Sequence, residues 1–127
     1  FAAGSFDLVI LASVLTHLAL GSQKAWLDEI HRLLRPAGHA LITLHGAIYA
    51  GLVLDEAGAA KYDADGYAEK AGGAEGANVY STFHAEPFAR ELFSGFRRVA
   101  FFPRGVEGGV ARQFPVASLQ DVYVLAK

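Results

Sequence analysis

Cysteine is absent from the 127 residues, which removes any disulfide framework, thiolate zinc site or cysteine nucleophile from consideration and fits a reducing compartment. Charge of one sign is scarce as well. Eleven basic residues against 13 acidic ones leave a formal net charge of −2. No Lys/Arg cluster supplies the electrostatic footprint that a phosphate backbone or an anionic bilayer selects, so neither nucleic acid nor membrane is an expected partner. Long apolar runs are missing too. The run from Leu8 to Val14 is far shorter than the roughly 20 residues that cross a bilayer. No basic region followed by an apolar stretch opens the chain, and a soluble cytoplasmic protein is the expectation. An initiator methionine is also lacking at Phe1, so a preceding segment is expected.

Hydrophobic residues make up 53% of the chain, enough for one globular domain with a real core. Phe6-Asp7-Leu8-Val9-Ile10-Leu11-Ala12 is a continuous run of strand length without alternation, the pattern of a buried parallel strand. Gly21 then reads as a turn and Ser22 as an N-cap, followed by Trp26, Leu27, Ile30, Leu33 and Leu34 at helical spacing, with Asp28 and Arg32 paired on the far side. Trp26 is expected in the core. Pro36 and Gly38 stop this helix before a second strand, His39 to His45. Strand, amphipathic helix, strand implies parallel neighbours joined by a crossover, and the class is α/β. Residues 47–80 lose the pattern, with Gly66, Gly72, Gly73 and Gly76 expected to interrupt helices; an insertion or lid is expected. A short helix, Pro87 to Phe93, ends at Gly95. Arg98 to Phe102 and Asp121 to Ala126 follow as an antiparallel pair joined through Gly105, Gly108, Gly109 and Pro115.

The first strand with Ser13-Val14-Leu15-Thr16-His17-Leu18 resembles the fourth strand and following turn of class I S-adenosylmethionine-dependent methyltransferases. Trp26 to Gly38, running into Leu41-Ile42-Thr43-Leu44-His45-Gly46, is similar to that family's helix, Leu-x-Pro-x-Gly turn and fifth strand, with Ala37 standing where the family usually has glycine. Asn78, Phe83, His84 and Gln120 to Leu125 are similar to a type 11/12-like bacterial subgroup. The resemblance covers nearly the whole chain. It implies the C-terminal half of a doubly wound, Rossmann-like sheet with strands in the order 4, 5, 7, 6 and the seventh antiparallel. Residues 1–127 would then be a partial domain, without the glycine-rich turn and ribose-holding acidic residue that bind most of the cofactor.

Ligands in such sheets bind beyond the carboxyl ends of the strands. The resemblance implies that Ala12 and Ser13 approach S-adenosylmethionine there, although on the residues alone they could be an ordinary strand end. His17, just past the strand, is a candidate general base toward a hydroxyl or amine, or else caps a turn. His45 ends the second strand on the same rim and could meet the same substrate, or simply mark where a buried strand emerges. Asn78 and His84 return from the insertion toward a substrate or serve loop packing. The spacing of His17, His45 and His84 matches no zinc motif, and no metal is expected; His31 and His39 read as surface residues.

Methyl transfer to a small-molecule or sugar-like acceptor is therefore the expected activity of the intact protein, the isolated chain being inactive. The competing expectation is a non-enzymatic fold remnant that self-associates through its exposed first strand.

Overall fold

Phe6–Leu11 forms β1 and pairs parallel to β2, Leu34–Leu44, through Leu8 against His39 to Leu11 against Ile42. The chain passes between them through a 3₁₀ turn, Leu15–His17, and helix α1, Leu20–Leu33. The computed structural model describes residues 1–103 and 119–127. The expected Gly/Pro-rich connection through Gly105, Gly108, Gly109 and Pro115 lies outside them. After β2 come α2 (Ala47–Val53), α3 (Glu56–Asp65), β3 (Tyr67–Ala71), β4 (Tyr80–His84), α4 (Glu86–Leu92), β5 (Arg97–Phe102) and β6 (Asp121–Ala126). The main sheet runs β1-β2-β6-β5, with β6 antiparallel to both neighbours, which is the 4, 5, 7, 6 order expected.

The alternation of a strand sends Val9 and Leu11, Ala40, Ile42 and Leu44, and Tyr123 and Leu125 to one face. These residues meet Leu27 and Ile30 of α1 and Ala89 of α4, with Phe93 just beyond, in a single core. Wholly buried side chains of this size, Leu34, Ile42 and Leu44 among them, each stabilise the fold by about 1.5–3 kcal/mol.

Several expectations need correction. The helix begins at Leu20 with Ala19 as its N-cap, so Gly21 and Ser22 lie inside it. Its inward stripe is Gln23, Leu27 and Ile30, and Trp26 is 48% exposed rather than core. Trp26 lies one residue before Leu27, and a step of about 100° carries it off the buried stripe. Arg32 pairs with Glu29, one turn back, in place of Asp28. The second strand starts at Leu34, earlier than His39, because Leu34 already pairs with Phe6. The small helix ends at Leu92, short of Gly95. His31 and His39 are half-buried, His31 lying edge-on to Phe96.

Residues 47–80 are ordered into two helices and a hairpin despite their glycines. Asp55 caps α3 by accepting from the Gly58 amide at 2.9 Å, and Gly66, at φ 71°, ends it in the left-handed region. Of the four glycines expected to interrupt helices, Gly66 ends one, and Gly72, Gly73 and Gly76 lie in the loop between β3 and β4. β3 and β4 pair antiparallel as a separate ribbon, and the His84 amide donates to the His45 carbonyl at 2.9 Å, tying that ribbon to the end of β2.

Candidate functional site

The carboxyl ends of β1 and β2 and the start of the antiparallel β6 share one rim of the sheet. Ser13, just past β1, takes φ 57°, a left-handed conformation rare outside glycine and costing about 1–2 kcal/mol. Each of its polar groups is held. Its amide donates to Thr43 Oγ1 at 2.8 Å, its hydroxyl accepts from Gln120 Nε2, and its carbonyl accepts from the Thr16 hydroxyl at 2.9 Å. The Thr43 hydroxyl in turn donates to Gln120 Oε1. Ala12 is left exposed at the tip, with its small side chain.

His17 and His45 meet on this rim, edge to face, with ring centroids 6.1 Å apart. His17 Nδ1 lies 2.7 Å from the Tyr80 carbonyl. A carbonyl only accepts, so Nδ1 carries a proton in this contact, which in the neutral ring leaves the lone pair on Nε2; the tautomer is assigned from this partner. His45 is buried, stacked on Tyr49 at 4.3 Å, and its Nδ1 has no hydrogen-bond partner. Burial foremost, then the neighbouring His17, pushes its pKa down to about 4 against a weaker opposing hydrogen bond with the Thr82 backbone. His45 is therefore uncharged at neutral pH.

His84 is wholly buried below this pair. Its Nε2 faces Gln23 Oε1 at 2.9 Å, while Gln23 Nε2 donates to the Leu15 and Leu18 carbonyls and to Thr82 Oγ1. Burial and then His45 push its pKa down to about 3. Asn78 is exposed in the loop between β3 and β4, apart from His84 in surroundings though near it in sequence. That loop reaches the same corner: the Gly76 amide donates to the His17 carbonyl at 2.8 Å, and Glu75 accepts from the Ala19 amide at 2.9 Å.

The structure thus gathers Ala12, Ser13, His17 and His45 on one rim, sets His84 beneath them and leaves Asn78 at the surface. Sequence reasoning missed Gln23, Thr43, Gln120 and Glu75. Gln23 carried a signal, being a polar residue four before Leu27 on the inward stripe; Thr43 and Gln120 fall in segments that carry the family resemblance, but that they meet could not be read from sequence, being 77 residues apart. A surface cavity of about 710 Å³ lies elsewhere, between α3, α4 and Lys24, and takes in none of the rim residues. Among the described residues, no group of three or more His, Asp or Glu side chains is placed to hold a metal ion. No helix among them is long and apolar enough to cross a membrane.

A mixed sheet of this order, its last strand antiparallel, is similar to the corresponding part of the Rossmann-like sheet of class I methyltransferases. Comparison with known proteins agrees. A family model described as a methyltransferase domain matches residues 1–42. The 1,6-didemethyltoxoflavin-N1-methyltransferase of Burkholderia thailandensis, solved with 1,6-didemethyltoxoflavin and S-adenosylhomocysteine bound, is similar over 100% of this chain and 46% of its own, at TM-score 0.64 and 22% identity. A S-adenosylmethionine-dependent methyltransferase of Methanosarcina mazei is similar over 100% of this chain and 61% of its own, at TM-score 0.66 and 16% identity. One from Mesorhizobium loti gives 100% and 64%, at TM-score 0.59 and 14% identity. No curated protein matches the sequence. The chain carries a class I methyltransferase-like fold and spans roughly half to two-thirds of the length of these solved structures.

Proposed function

We propose that this chain is the C-terminal part of an S-adenosylmethionine-dependent methyltransferase acting on a small-molecule or sugar-like acceptor. The observation that carries the reading is the meeting of Ala12, Ser13, His17 and His45 at the carboxyl rim of the sheet. The residues fit one wall of a donor site: Ala12 is small and exposed, Ser13 turns the chain sharply away, and His45 Nδ1 is a buried nitrogen still lacking a partner. When bound, S-adenosylmethionine supplies an activated methyl group, and the protein's part is alignment and dryness.

His17 is the base in this reading. The Tyr80 carbonyl fixes its ring and leaves Nε2 free to take a proton from an acceptor hydroxyl or amine. His45, with its pKa near 4, is too weak a base at neutral pH and instead lines the site as an uncharged neighbour. Residues 47–80 act as a lid, their 72–79 loop closing against His17 and carrying Asn78 toward the acceptor. His84, with no exposed surface, supports the site from below.

The test is a titration of the isotope-labelled chain with S-adenosylhomocysteine, followed residue by residue by NMR. Weak binding is expected, because the glycine-rich half of such a site has no counterpart here, with shifts confined to Ala12, Ser13, His17, Thr43 and His45. Shifts scattered over the surface, or none at millimolar ligand, would overturn the reading.

One observation favours a second reading, that of a non-enzymatic assembly module. Among the described residues β1 pairs only with β2, and Leu8 and Ile10 on it are 51% and 50% exposed. An open apolar strand edge invites pairing with another chain.

A further inference from the structure

We infer that Thr43 and Gln120 are positioning residues for the donor side of the rim, acting through Ser13 on Ala12; the inference rests on the methyltransferase reading above. A serine in the left-handed region persists only where its surroundings over-determine it. Here they do. Thr43, at the end of β2, receives the Ser13 amide and passes its own hydroxyl proton toward Gln120 Oε1, while Gln120 Nε2 donates to Ser13 Oγ. The three side chains close a ring across the ends of β1, β2 and β6.

Thr43 and Gln120 are 2% and 3% exposed, so neither is placed to touch a ligand in the cleft. Their polar atoms are spent on each other and on Ser13. Ser13 is spent likewise, since Thr16 takes its carbonyl. What the ring delivers to the surface is the reversal of the chain after β1, which leaves Ala12 exposed at the strand's tip. Ser13 therefore contributes to the donor site by the path of its backbone, and the hydroxyls around it fix that path. The arrangement also binds the two parallel strands to the antiparallel one at the rim where ladder hydrogen bonding ends, the place where strand tips would otherwise fray.

Thr43→Val removes the hydroxyl while keeping the shape, and Thr43→Ser keeps the hydroxyl while dropping a methyl group. Each labelled variant is titrated with S-adenosylhomocysteine, and the strong amide-to-Hα contact within Ser13 that marks a positive φ is read in the same spectra. Thr43→Val should lose that mark and bind about tenfold more weakly, equivalent to about 1.4 kcal/mol. Thr43→Ser should restore both. Gln120→Ala, read in the same way, keeps the test alive if Thr43→Val fails to fold. A folded Thr43→Val or Gln120→Ala chain that binds as tightly as the parent overturns the positioning role and leaves the methyltransferase reading intact. A parent chain with no localised response to the ligand overturns that reading and this role with it.

Discussion

Ala37 and Ser13 share a left-handed backbone, at φ 62° and 57°, yet only Ser13 has a ring of side chains to hold it. Ala37 lies within β2, in the irregular stretch between its Leu34 and His39 pairings, beside Gly38, whose absent Cβ would come within 2.9 Å of the Arg35 carbonyl and 3.1 Å of that of Phe6. With nothing to offset its strain, Ala37→Gly should stabilise the chain by about 1 kcal/mol, seen as a melting temperature a few degrees higher. A lower melting temperature would show that the turn gains more from alanine's stiffness in the unfolded chain. The buried histidines set a second expectation. His45 and His84 have folded pKa values of about 4 and about 3, below the ordinary 6.5, so the unfolded chain binds more protons in the interval between. Their stabilisation is complete above pH 6.5 and drains away as pH falls, each costing up to about 1.4 kcal/mol per pH unit. Glu29, Glu69 and Glu86, with pKa values held below 4.5, weaken the fold in the same direction but at lower pH. Urea midpoints between pH 7 and 4.5 should therefore fall steeply in the parent and less so in His84→Gln. Parallel slopes would refute a neutral buried His84. Sequence alone pointed to His17 and His45 because strand ends are legible from apolar runs. It could not show that His84 is sealed beneath them, because that follows from Gln23, sixty-one residues away, turning inward to meet it.

At the scale of elements, α1 starts without a cap of its own. Ala19 has no side-chain oxygen to offer, and the expectation that Ser22 would serve failed because the helix had already begun. The loop between β3 and β4 supplies what is missing through Glu75, whose carboxylate takes the Ala19 amide at 2.9 Å. An anion there also meets the positive end of the helix dipole. Glu69 anchors the same ribbon: partial burial pushes its pKa up, but hydrogen bonds from Tyr67 and Tyr80, both 2.6 Å, outweigh this and keep it ionised. Glu75→Ala should cost about 1 kcal/mol, as lost caps do, and should speed amide hydrogen exchange at Ala19 and Gly76 together. Faster exchange at Ala19 alone would mean that the loop does not depend on this contact. The sheet and the two core-facing helices could be read from periodicity, since each carries its own apolar pattern. The ordering of 47–80 could not. Its α3 buries no residue, so its sequence holds no inward stripe to recognise, and its shape is set by the Asp55 cap, the Gly66 turn and docking against β2.

At the level of the 127-residue chain, β1 pairs only with β2 among the described residues, and its other edge is open. A parallel sheet is ordinarily covered on both faces, yet Leu8 and Ile10 point away from the core formed by Val9 and Leu11 and remain about half exposed. Sedimentation of the chain should show association that grows with concentration, and Ile10→Lys should suppress it at little cost to stability, since the side chain is already half in water. A monomer at every concentration would remove the motive for the assembly reading. The geometry of association carries a further consequence. Two copies related by a two-fold axis normal to the sheet would join β1 to β1 antiparallel, whereas extending the parallel order from β2 through β1 needs a strand running the same way. The carboxyl rims of the two copies would then point in opposite directions, and neither would complete the other's cleft. S-adenosylhomocysteine should accordingly bind the associated form no more tightly than the monomer. Tighter binding on association would instead mean that a second copy brings its own residues to the rim beside Ala12.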